Sequence, residues 1–161
     1  MVNSKKVDTY TITNQTMVIS PNYDPIYQTK IYERDEVYLC KQTPLKIIDS
    51  SCIKQGAATF KGRKQAAEHV TGKKVMLPIP VEPYKGIILM PTKKVKDPYC
   101  TWIAYCHVKE IQHLSKNKNE TELIFYNDQT YRVEIPPTRM QNQILLASFV
   151  FGYFIKEQYI S

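Results

Sequence analysis

The segment Gly86–Pro91 is apolar without a break, and it is the feature that most limits how this chain can fold. A short apolar run bounded by glycine and proline is typical of a strand that is buried on both faces of a sheet. The preceding segment, Val75–Val81, is also apolar but contains Pro78 and Pro80. Because proline cannot donate a hydrogen bond to a neighbouring strand, the sequence predicts an edge strand or an irregular extended segment there.

Much of the remaining chain has the composition of short strands, with tyrosine and β-branched residues between polar turns. The predicted elements are a hairpin of 10–13 with 17–19, a hairpin of 30–33 with 37–40, a short strand at 45–49, a long strand at 101–111, and a hairpin of 122–125 with 130–135. The long strand contains the only tryptophan, Trp102. We interpret Trp102 as a core residue rather than as a platform for stacking on a base.

A short helix is predicted at about 61–70, where good helix formers follow one another. Thr59 or Gly62 can begin this helix, and Gly72 can end it. A second helix is predicted at about 138–158, with Thr138 as its N-cap.

The second helix is apolar nearly all round its middle, so it must be buried in its own core or against a partner. We hypothesise that the segment 138–161 forms a homodimer interface. The predicted fold class is α+β, mainly antiparallel β-sheet with a short basic helix and a C-terminal helix. A chain of 161 residues suits a single domain, here 1–161.

The positive charge of the chain is concentrated in one segment. The formal net charge is +7, and the segment from Lys54 to Lys96 holds ten basic residues against two acidic ones, Glu68 and Glu82. A local block of this kind attracts a polyanion through Coulomb steering and counterion release, and nucleic acid is the commonest such partner.

The first turn of the predicted basic helix carries Lys61, Arg63 and Lys64. Cations at a helix N-terminus oppose the helix dipole, which disfavours the helix when the protein is alone. A bound phosphate would supply the compensating negative charge. A solvated basic face is an equally good interpretation of this helix taken by itself.

The sequence offers little for catalysis. Gly56 and Gly62 are separated by five residues rather than four, and 63–65 is not the Lys-Ser/Thr pair of a phosphate-binding loop. A nuclease needs carboxylates beside its basic surface to hold magnesium, and the basic segment has only Glu68 and Glu82. We therefore predict that the protein is not an enzyme and needs no cofactor.

The cysteines and histidines give a weak metal signal. No two cysteines have the two-residue spacing of a zinc knuckle. The candidate ligands would be Cys100, Cys106, His107 and His113. On a strand Cys106 and His107 would point to opposite faces, which disfavours a joint site. The N-terminal residues are polar and no apolar run is long enough to span a bilayer, so we expect a soluble, cytoplasmic protein with reduced thiols.

A series of short motifs runs through residues 8–145. They are Ile48-Asp49-x-Ser51-Cys52, Gly56, Gly62-Arg63-Lys64, Lys74, Pro78-Ile79, Pro91-Thr92, Cys100-x-Trp102-Ile103, His107-Val108-Lys109-Glu110, Phe125-x-Asn127 and Asn142-Gln143. In order and spacing these motifs resemble the ComK competence transcription factors of Gram-positive bacteria. Family members commonly continue past Gln143 with more polar, arginine-containing sequence and a longer tail, whereas this chain continues with the apolar residues 144–147.

The resemblance implies a transcriptional activator of DNA-uptake genes that binds A/T-rich promoter boxes through the minor groove. The partners it implies are double-stranded promoter DNA, a second copy of the chain in a homodimer or dimer of dimers, RNA polymerase, and an adaptor that delivers the protein to a Clp protease. Minor-groove binding agrees with the charge pattern, because a narrow A·T groove has an enhanced negative potential that attracts arginine and lysine.

Site residues follow from combining the resemblance with the charge pattern. We predict that Arg63, with Lys61 and Lys64, contacts the groove. The residues predicted to contact phosphates are Lys54, Lys73, Lys74, Lys93, Lys94 and Lys96.

Three other functions remain open at this point. An RNA-binding module would stack bases on exposed aromatic residues beside the lysines, such as Tyr84 or Tyr99. A metal-dependent nuclease would cleave plasmid DNA when magnesium is added. In an interaction protein without DNA binding, the lysines would provide only solubility.

Overall fold

The computed structural model describes residues 3–56, 58–114 and 116–160. The elements within these ranges are β1 (Lys5–Val7), β2 (Thr16–Pro21), β3 (Thr29–Glu33), β4 (Val37–Cys40), α1 (Pro44–Lys54), α2 (Phe60–Thr71), β5 (Ile79–Glu82), β6 (Ile87–Pro91), β7 (Trp102–Ala104), β8 (Val108–His113), β9 (Thr121–Phe125), β10 (Thr130–Val133) and α3 (Pro137–Ile160). The predicted domain 1–161 and the predicted dimer segment 138–161 both end at Ser161, which lies outside the described residues, as do residues 1, 2, 57 and 115.

The strands form two sheets. The larger sheet has seven strands in the order β1-β4-β3-β2-β7-β6-β5, and the smaller has three in the order β10-β9-β8. All strand pairs are antiparallel except β1 with β4, which is parallel. The α+β class with a mainly antiparallel sheet and a C-terminal helix is therefore confirmed.

The larger sheet has a hydrophobic core on each face. On one face Trp102 and Leu89 pack with buried residues of α1, such as Ile48. On the other face Ile88 and Ile103 pack with buried residues of the smaller sheet and of α3. Because both faces are covered, every residue of β6 is buried, as its unbroken apolar sequence predicts.

Helix α2 and strand β5 lie at one edge of the larger sheet. Strand β5 is the last strand of the sheet order, which confirms the edge position that Pro78 and Pro80 indicate. The Thr59 side chain accepts a hydrogen bond from the backbone N–H of Gly62 and caps α2. Gly72 ends the helix in the left-handed conformation at φ +71°, a backbone geometry that favours glycine.

The prediction of a strand at 45–49 is wrong, because this segment lies within α1. Thr43 is the N-cap, its side chain accepting a hydrogen bond from the backbone N–H of Lys46, and Pro44 occupies the first turn. Both residues favour a helix start. The apolar pair Ile47–Ile48 that indicated a strand is instead one end of the buried face of this helix.

Two strand predictions need further correction. Residues 10–13 form no strand, and the backbone N–H of Ile12 instead donates to Ser51 Oγ of α1 at 3.0 Å. The predicted long strand 101–111 is broken by a 3₁₀ turn at Tyr105–His107, so that β7 belongs to the larger sheet and β8 to the smaller one.

The remaining hairpin predictions agree with the structure. The pairs β3–β4 and β9–β10 are antiparallel neighbours at the expected positions. Trp102 is 1% exposed, which confirms its place in the core.

Helix α3 packs against the second core with one face and exposes the other. Its buried residues are Met140, Gln143, Ala147, Val150 and Phe154. Among the helices of residues 3–56, 58–114 and 116–160, none combines the length and apolar character needed to cross a membrane.

Candidate nucleic-acid interface

The basic first turn of α2 is fixed by two contacts with the rest of the protein. The backbone N–H of Phe60 donates to Asp49 Oδ1 at 2.8 Å, which places a carboxylate of α1 at the N-terminus of α2. The Phe60 ring meets Trp102 edge-on, with 6.1 Å between centroids. Asp49 therefore provides negative charge at the helix N-terminus, so α2 needs no phosphate to begin where it does.

The three basic side chains of this turn differ in exposure. Lys61 is exposed, whereas Arg63 and Lys64 are half-buried. Arg63 Nε is buried and has no hydrogen-bond partner among the described residues. The Arg63 guanidinium lies near Cys52 of α1, where it opposes the burial that raises the pKa of that thiol to about 11. Arg63 therefore lies partly in the junction between α1 and α2 rather than fully in solvent.

A second group of basic residues lies on the loop between β6 and β7. Thr92 and Thr101 close this loop at its base, because the backbone N–H and the side-chain hydroxyl of Thr92 both donate to the Thr101 carbonyl. The Cys100 thiol is buried and donates to the Lys93 carbonyl at 3.4 Å. The loop is thus held in one shape, with Lys94 and Lys96 exposed and Lys93 half-buried.

The strand register determines which segments lie at the end of the larger sheet that carries the β6–β7 loop. Antiparallel pairing of Ile79 with Leu89, and of Pro91 with Trp102, places the start of β5, the end of β6 and the start of β7 together. We call this the loop end of the sheet.

Lys73 and Lys74 lie on the segment that enters the loop end from α2. This segment passes α3, since Gln143 Nε2 donates to the Met76 carbonyl at 2.8 Å. Both lysines are exposed. Lys73 itself lines a cleft with Leu145 and Phe149 of α3. Exposed lysines therefore lie on the segment that leads to the loop end before β5, and others lie on the loop after β6.

Lys54 is separated from Lys96 by the length of α1. Pro44 and Leu45, at the start of α1, line a cleft that Lys96 also lines. Lys54 ends the same helix, which at 1.5 Å per residue places it roughly 15 Å from the first turn. Its Nζ donates to Thr11 Oγ1 at 2.8 Å.

The structure adds a basic residue from outside the segment Lys54–Lys96. Arg132 of β10 and Lys93 line one small cleft at the loop end, together with Glu134. Arg132 lies 36 residues beyond Lys96 in the chain, so only the tertiary structure brings it here. No local sequence signal distinguishes it from other surface arginines.

Aromatic residues are exposed near the lysines. Tyr84 is 50% exposed and Tyr99 is 58% exposed. Exposed tyrosines at these two positions favour the stacking of unpaired bases. Single-stranded nucleic acid therefore stays an alternative to double-stranded DNA as the ligand. Tyr84 lies at the far end of β5 from Lys73 and its ring contacts Phe154, whereas Tyr99 belongs to the lysine-bearing loop.

The four candidate metal ligands of the sequence are dispersed. Cys100 is buried before β7, Cys106 is exposed after it, and His107 Nε2 is hydrogen-bonded to the Asn14 carbonyl. In the part of the chain that the structure describes, no three His, Cys, Asp or Glu side chains are grouped to hold a metal ion.

A family model described as "ComK protein" matches residues 7–158. The chain is 32% identical over 139 residues to the competence transcription factor of Bacillus subtilis (strain 168), and the alignment covers 86% of this chain and 71% of that relative. No solved structure matches the chain.

Proposed function

The chain belongs to the ComK family, and on that premise we propose that it is a competence transcription factor that binds A/T-rich promoter DNA through the minor groove. The observation that carries the proposal is that lysines precede β5 (Lys73 and Lys74) and follow β6 (Lys93, Lys94 and Lys96), on two segments that the strand register directs toward one end of the sheet. Lysines from two separate segments at one end of a rigid sheet provide a positive surface that a duplex can approach. Such a regulator would act in the cytoplasm on the chromosome and would need no catalytic residue.

In this proposal the two groups of basic residues have different roles. Lysines of the loop end contact phosphates, which contributes affinity and fixes register without reading sequence. Arg63, with Lys61 and Lys64, approaches the groove, where a narrow A·T minor groove attracts cations most strongly. Lys54 reaches phosphates only of a duplex that extends beyond the loop end, because it lies at the other end of α1.

The test of this function is fluorescence anisotropy with three ligands at two salt concentrations. The ligands are an A/T-box duplex, a G·C-rich duplex of equal length, and a matched single strand. We expect the A/T duplex to bind most tightly at both salt concentrations. If all three ligands bind equally well and binding is lost on adding salt, the protein binds nucleic acid only through its positive charge, without sequence preference. Preference for the single strand would favour the RNA-binding alternative, and cleavage of plasmid DNA that needs magnesium would favour a nuclease.

Replacing Arg63 with alanine is expected to weaken binding to the A/T-rich duplex by about 1–3 kcal/mol and to relax the preference over G·C-rich duplex. The physical reason is that a groove-reading arginine carries sequence discrimination as well as charge. Arg63→Lys serves as the charge-matched control. Because Arg63 is half-buried, the thermal midpoint of each variant is measured first, and an unchanged affinity in a folded Arg63→Ala variant would remove Arg63 from the interface.

We also propose that α3 mediates homodimer formation. The face of α3 opposite its buried residues presents Leu145 and Phe149, which are 57% and 61% exposed, and Tyr153 on the next turn. No charged residue of α3 occurs between Arg139 and Lys156, so a second copy of the helix can pack on this face without burying a charge of α3. Lys73 lines the cleft beside Leu145 and Phe149, so it would lie at the edge of this contact. A homodimer would also place two basic loop ends in one particle that could bind two half-sites.

The double variant Leu145→Gln with Phe149→Gln is expected to shift the protein from dimer to monomer in light scattering and to lower DNA affinity. Both side chains lose apolar area that a dimer would bury, while the buried face of α3 is untouched. Ile53→Gln is the matched control, because Ile53 is 56% exposed on α1, away from this face. A wild-type protein that is monomeric at every concentration tested would contradict the dimer.

Other partners that the family resemblance implies, RNA polymerase and a Clp adaptor, belong to this proposal as expectations. An activator must contact the polymerase directly or alter the promoter to which it binds. Both interactions can be tested by pull-down with purified components, with the Leu145→Gln, Phe149→Gln variant included to separate them from dimer formation.

A further inference from the structure

Two tyrosine rings form an exposed ridge at the loop end of the sheet. Tyr23, on the loop between β2 and β3, packs against Tyr99, on the loop between β6 and β7, with 5.8 Å between ring centroids and 47° between ring planes. Tyr23 is 78% exposed and Tyr99 is 58% exposed even though they contact each other. We call this pair the tyrosine ridge.

The loop that carries Tyr99 holds the ring in a defined place. The backbone N–H of Tyr99 donates to Asp97 Oδ1 at 2.8 Å, and the backbone N–H of Cys100 donates to the Asp97 carbonyl. The Val95 side chain packs against the first core from the same loop.

The loop that carries Tyr23 is fixed in a similar way. The backbone N–H of Asn22 donates to the Gln28 carbonyl across the base of the loop. Asp24 Oδ1 accepts hydrogen bonds from the backbone N–H groups of Ile26 and Tyr27, at 2.9 and 2.8 Å. Two loops with internal hydrogen bonds therefore present the ridge as a preformed projection, so that binding would not have to order it.

A cleft with a basic residue lies on each side of the ridge. A cleft of about 550 Å³ contains Tyr23, Leu45 and Lys96 in its lining. A smaller cleft of about 170 Å³ contains both ridge tyrosines, Lys93 and Arg132. The ridge is thus flanked by Lys96 on one side and by Lys93 with Arg132 on the other. Arg132 also forms an ion pair with a carboxylate of β9, since its Nε lies 3.6 Å from Glu122 Oε2.

Acidic residues also border these clefts. Asp24 and Asp97 line the larger cleft together with Lys96, and their carboxylates each accept backbone hydrogen bonds within their own loops. Glu134 lines the smaller cleft, and its carbonyl accepts a hydrogen bond from Lys93 Nζ at 3.5 Å. Glu134 is therefore the acidic residue of the smaller cleft that a phosphate would approach.

We propose that the tyrosine ridge enters the minor groove of the bound duplex, with Lys96 facing one phosphate backbone and Lys93 with Arg132 facing the other. The minor groove of B-DNA is about 6 Å wide, and its two walls are sugar-phosphate backbones. An aromatic projection with cations on both sides matches a groove whose floor carries hydrogen-bond acceptors and whose two walls are anionic. The tyrosine rings would pack on deoxyribose, and their hydroxyls could donate to the adenine N3 and thymine O2 acceptors.

The proposal rests on the proposed function and predicts a kind of contact that charge alone cannot give. Removal of a neutral ring should reduce affinity without changing the salt dependence, because no counterion is released on forming that contact. Removal of a lysine should reduce both the affinity and its dependence on salt. Affinity at one salt concentration and its slope against salt therefore separate a ridge contact from a phosphate contact.

The experiment compares Tyr23→Ala, Tyr99→Ala, their double variant and Tyr99→Phe with wild type on the A/T-box duplex. We expect each alanine variant to bind about tenfold more weakly at every salt concentration, in line with the loss of one aromatic contact to a nucleotide. Tyr99→Phe should retain most of the affinity. Tyr126→Ala is the matched control, because Tyr126 is 66% exposed on the turn between β9 and β10, at the other end of the smaller sheet from Val133 and Glu134.

The outcomes distinguish the ridge from the function on which it rests. If wild type prefers the A/T duplex while the folded tyrosine variants bind it equally well, the ridge proposal is overturned and the function stands. If the variants lose single-strand binding but keep duplex binding, the ridge is a site for unpaired bases instead. If wild type itself shows no duplex preference, the proposed function is overturned and the ridge proposal with it.

Discussion

Replacing Trp102 with alanine is expected to lower the free energy of unfolding by about 3–5 kcal/mol, the usual cost of removing a large aromatic side chain from a packed core. Trp102 is the largest of the fully buried side chains, and its ring is the surface against which Phe60 of α2 packs. A loss of this size is a large fraction of the roughly 5–15 kcal/mol that stabilises a typical domain. The measurement is urea denaturation followed by far-UV circular dichroism, since the variant has no tryptophan fluorescence.

The same change should weaken DNA binding before the protein unfolds. The first turn of α2 is held by Phe60, whose ring would face a cavity if the Trp102 ring were removed. Trp102→Phe should restore part of the stability because it refills part of that space. A loss below about 1 kcal/mol for Trp102→Ala would show that the first core closes around the site and that α2 is positioned by other contacts.

The sequence predicts an element of the fold correctly where a local signal marks the ends or the buried face of that element. Helix α2 has a cap at Thr59 and a left-handed glycine at Gly72, and both are local signals. Helix α1 has a regular helix start at Thr43 and Pro44, but the short apolar pair at 47–48 also fits a strand, and the local pattern therefore predicts the wrong element. The buried positions 47, 48, 51 and 52 have the spacing of one helix face, and this periodicity would have identified it.

Other features of the fold had no local signal. Strand β1 has three residues, of which the first two are exposed lysines, and it is a strand only because β4 lies beside it. The break at Tyr105–His107 contains neither glycine nor proline. It arises because β7 is needed in the larger sheet and β8 in the smaller one, a requirement that is set by packing across the whole chain.

The candidate interface also combines residues that the sequence identifies with an arrangement that only the tertiary structure shows. The sequence identifies the lysines, but only the β5–β6–β7 register brings the segment before β5 and the loop after β6 to one end of the sheet. Tyr23 and Arg132 join that end from segments that are far away in the chain. Conversely, Lys54 is close in sequence to the basic turn of α2 but lies at the other end of α1 from Lys96.

Replacing Lys73, Lys74, Lys93 and Lys94 together with alanine is expected to lower DNA affinity on all sequences and to flatten its dependence on salt. If all four contact phosphates, the slope of log K against log salt should become less negative by about 3.6, at about 0.9 for each contact. Across a fourfold increase in salt, wild type should therefore lose roughly a hundredfold more affinity than the variant. Anisotropy titrations at 50 and 200 mM salt, on A/T-rich and G·C-rich duplexes, provide the measurement.

The two lysine pairs can be separated and matched with a control. Lys93→Ala with Lys94→Ala and Lys73→Ala with Lys74→Ala should each give about half of the change in slope, because each pair removes two of the four charges. Lys85→Ala with Lys156→Ala removes two exposed lysines, one following β5 and one near the end of α3, and should leave the slope nearly unchanged. An equal effect of the control pair would mean that net charge, rather than the arrangement at the loop end, drives binding. A loss confined to the A/T-rich duplex would mean that these lysines read the groove, which would reverse the roles assigned to them and to Arg63.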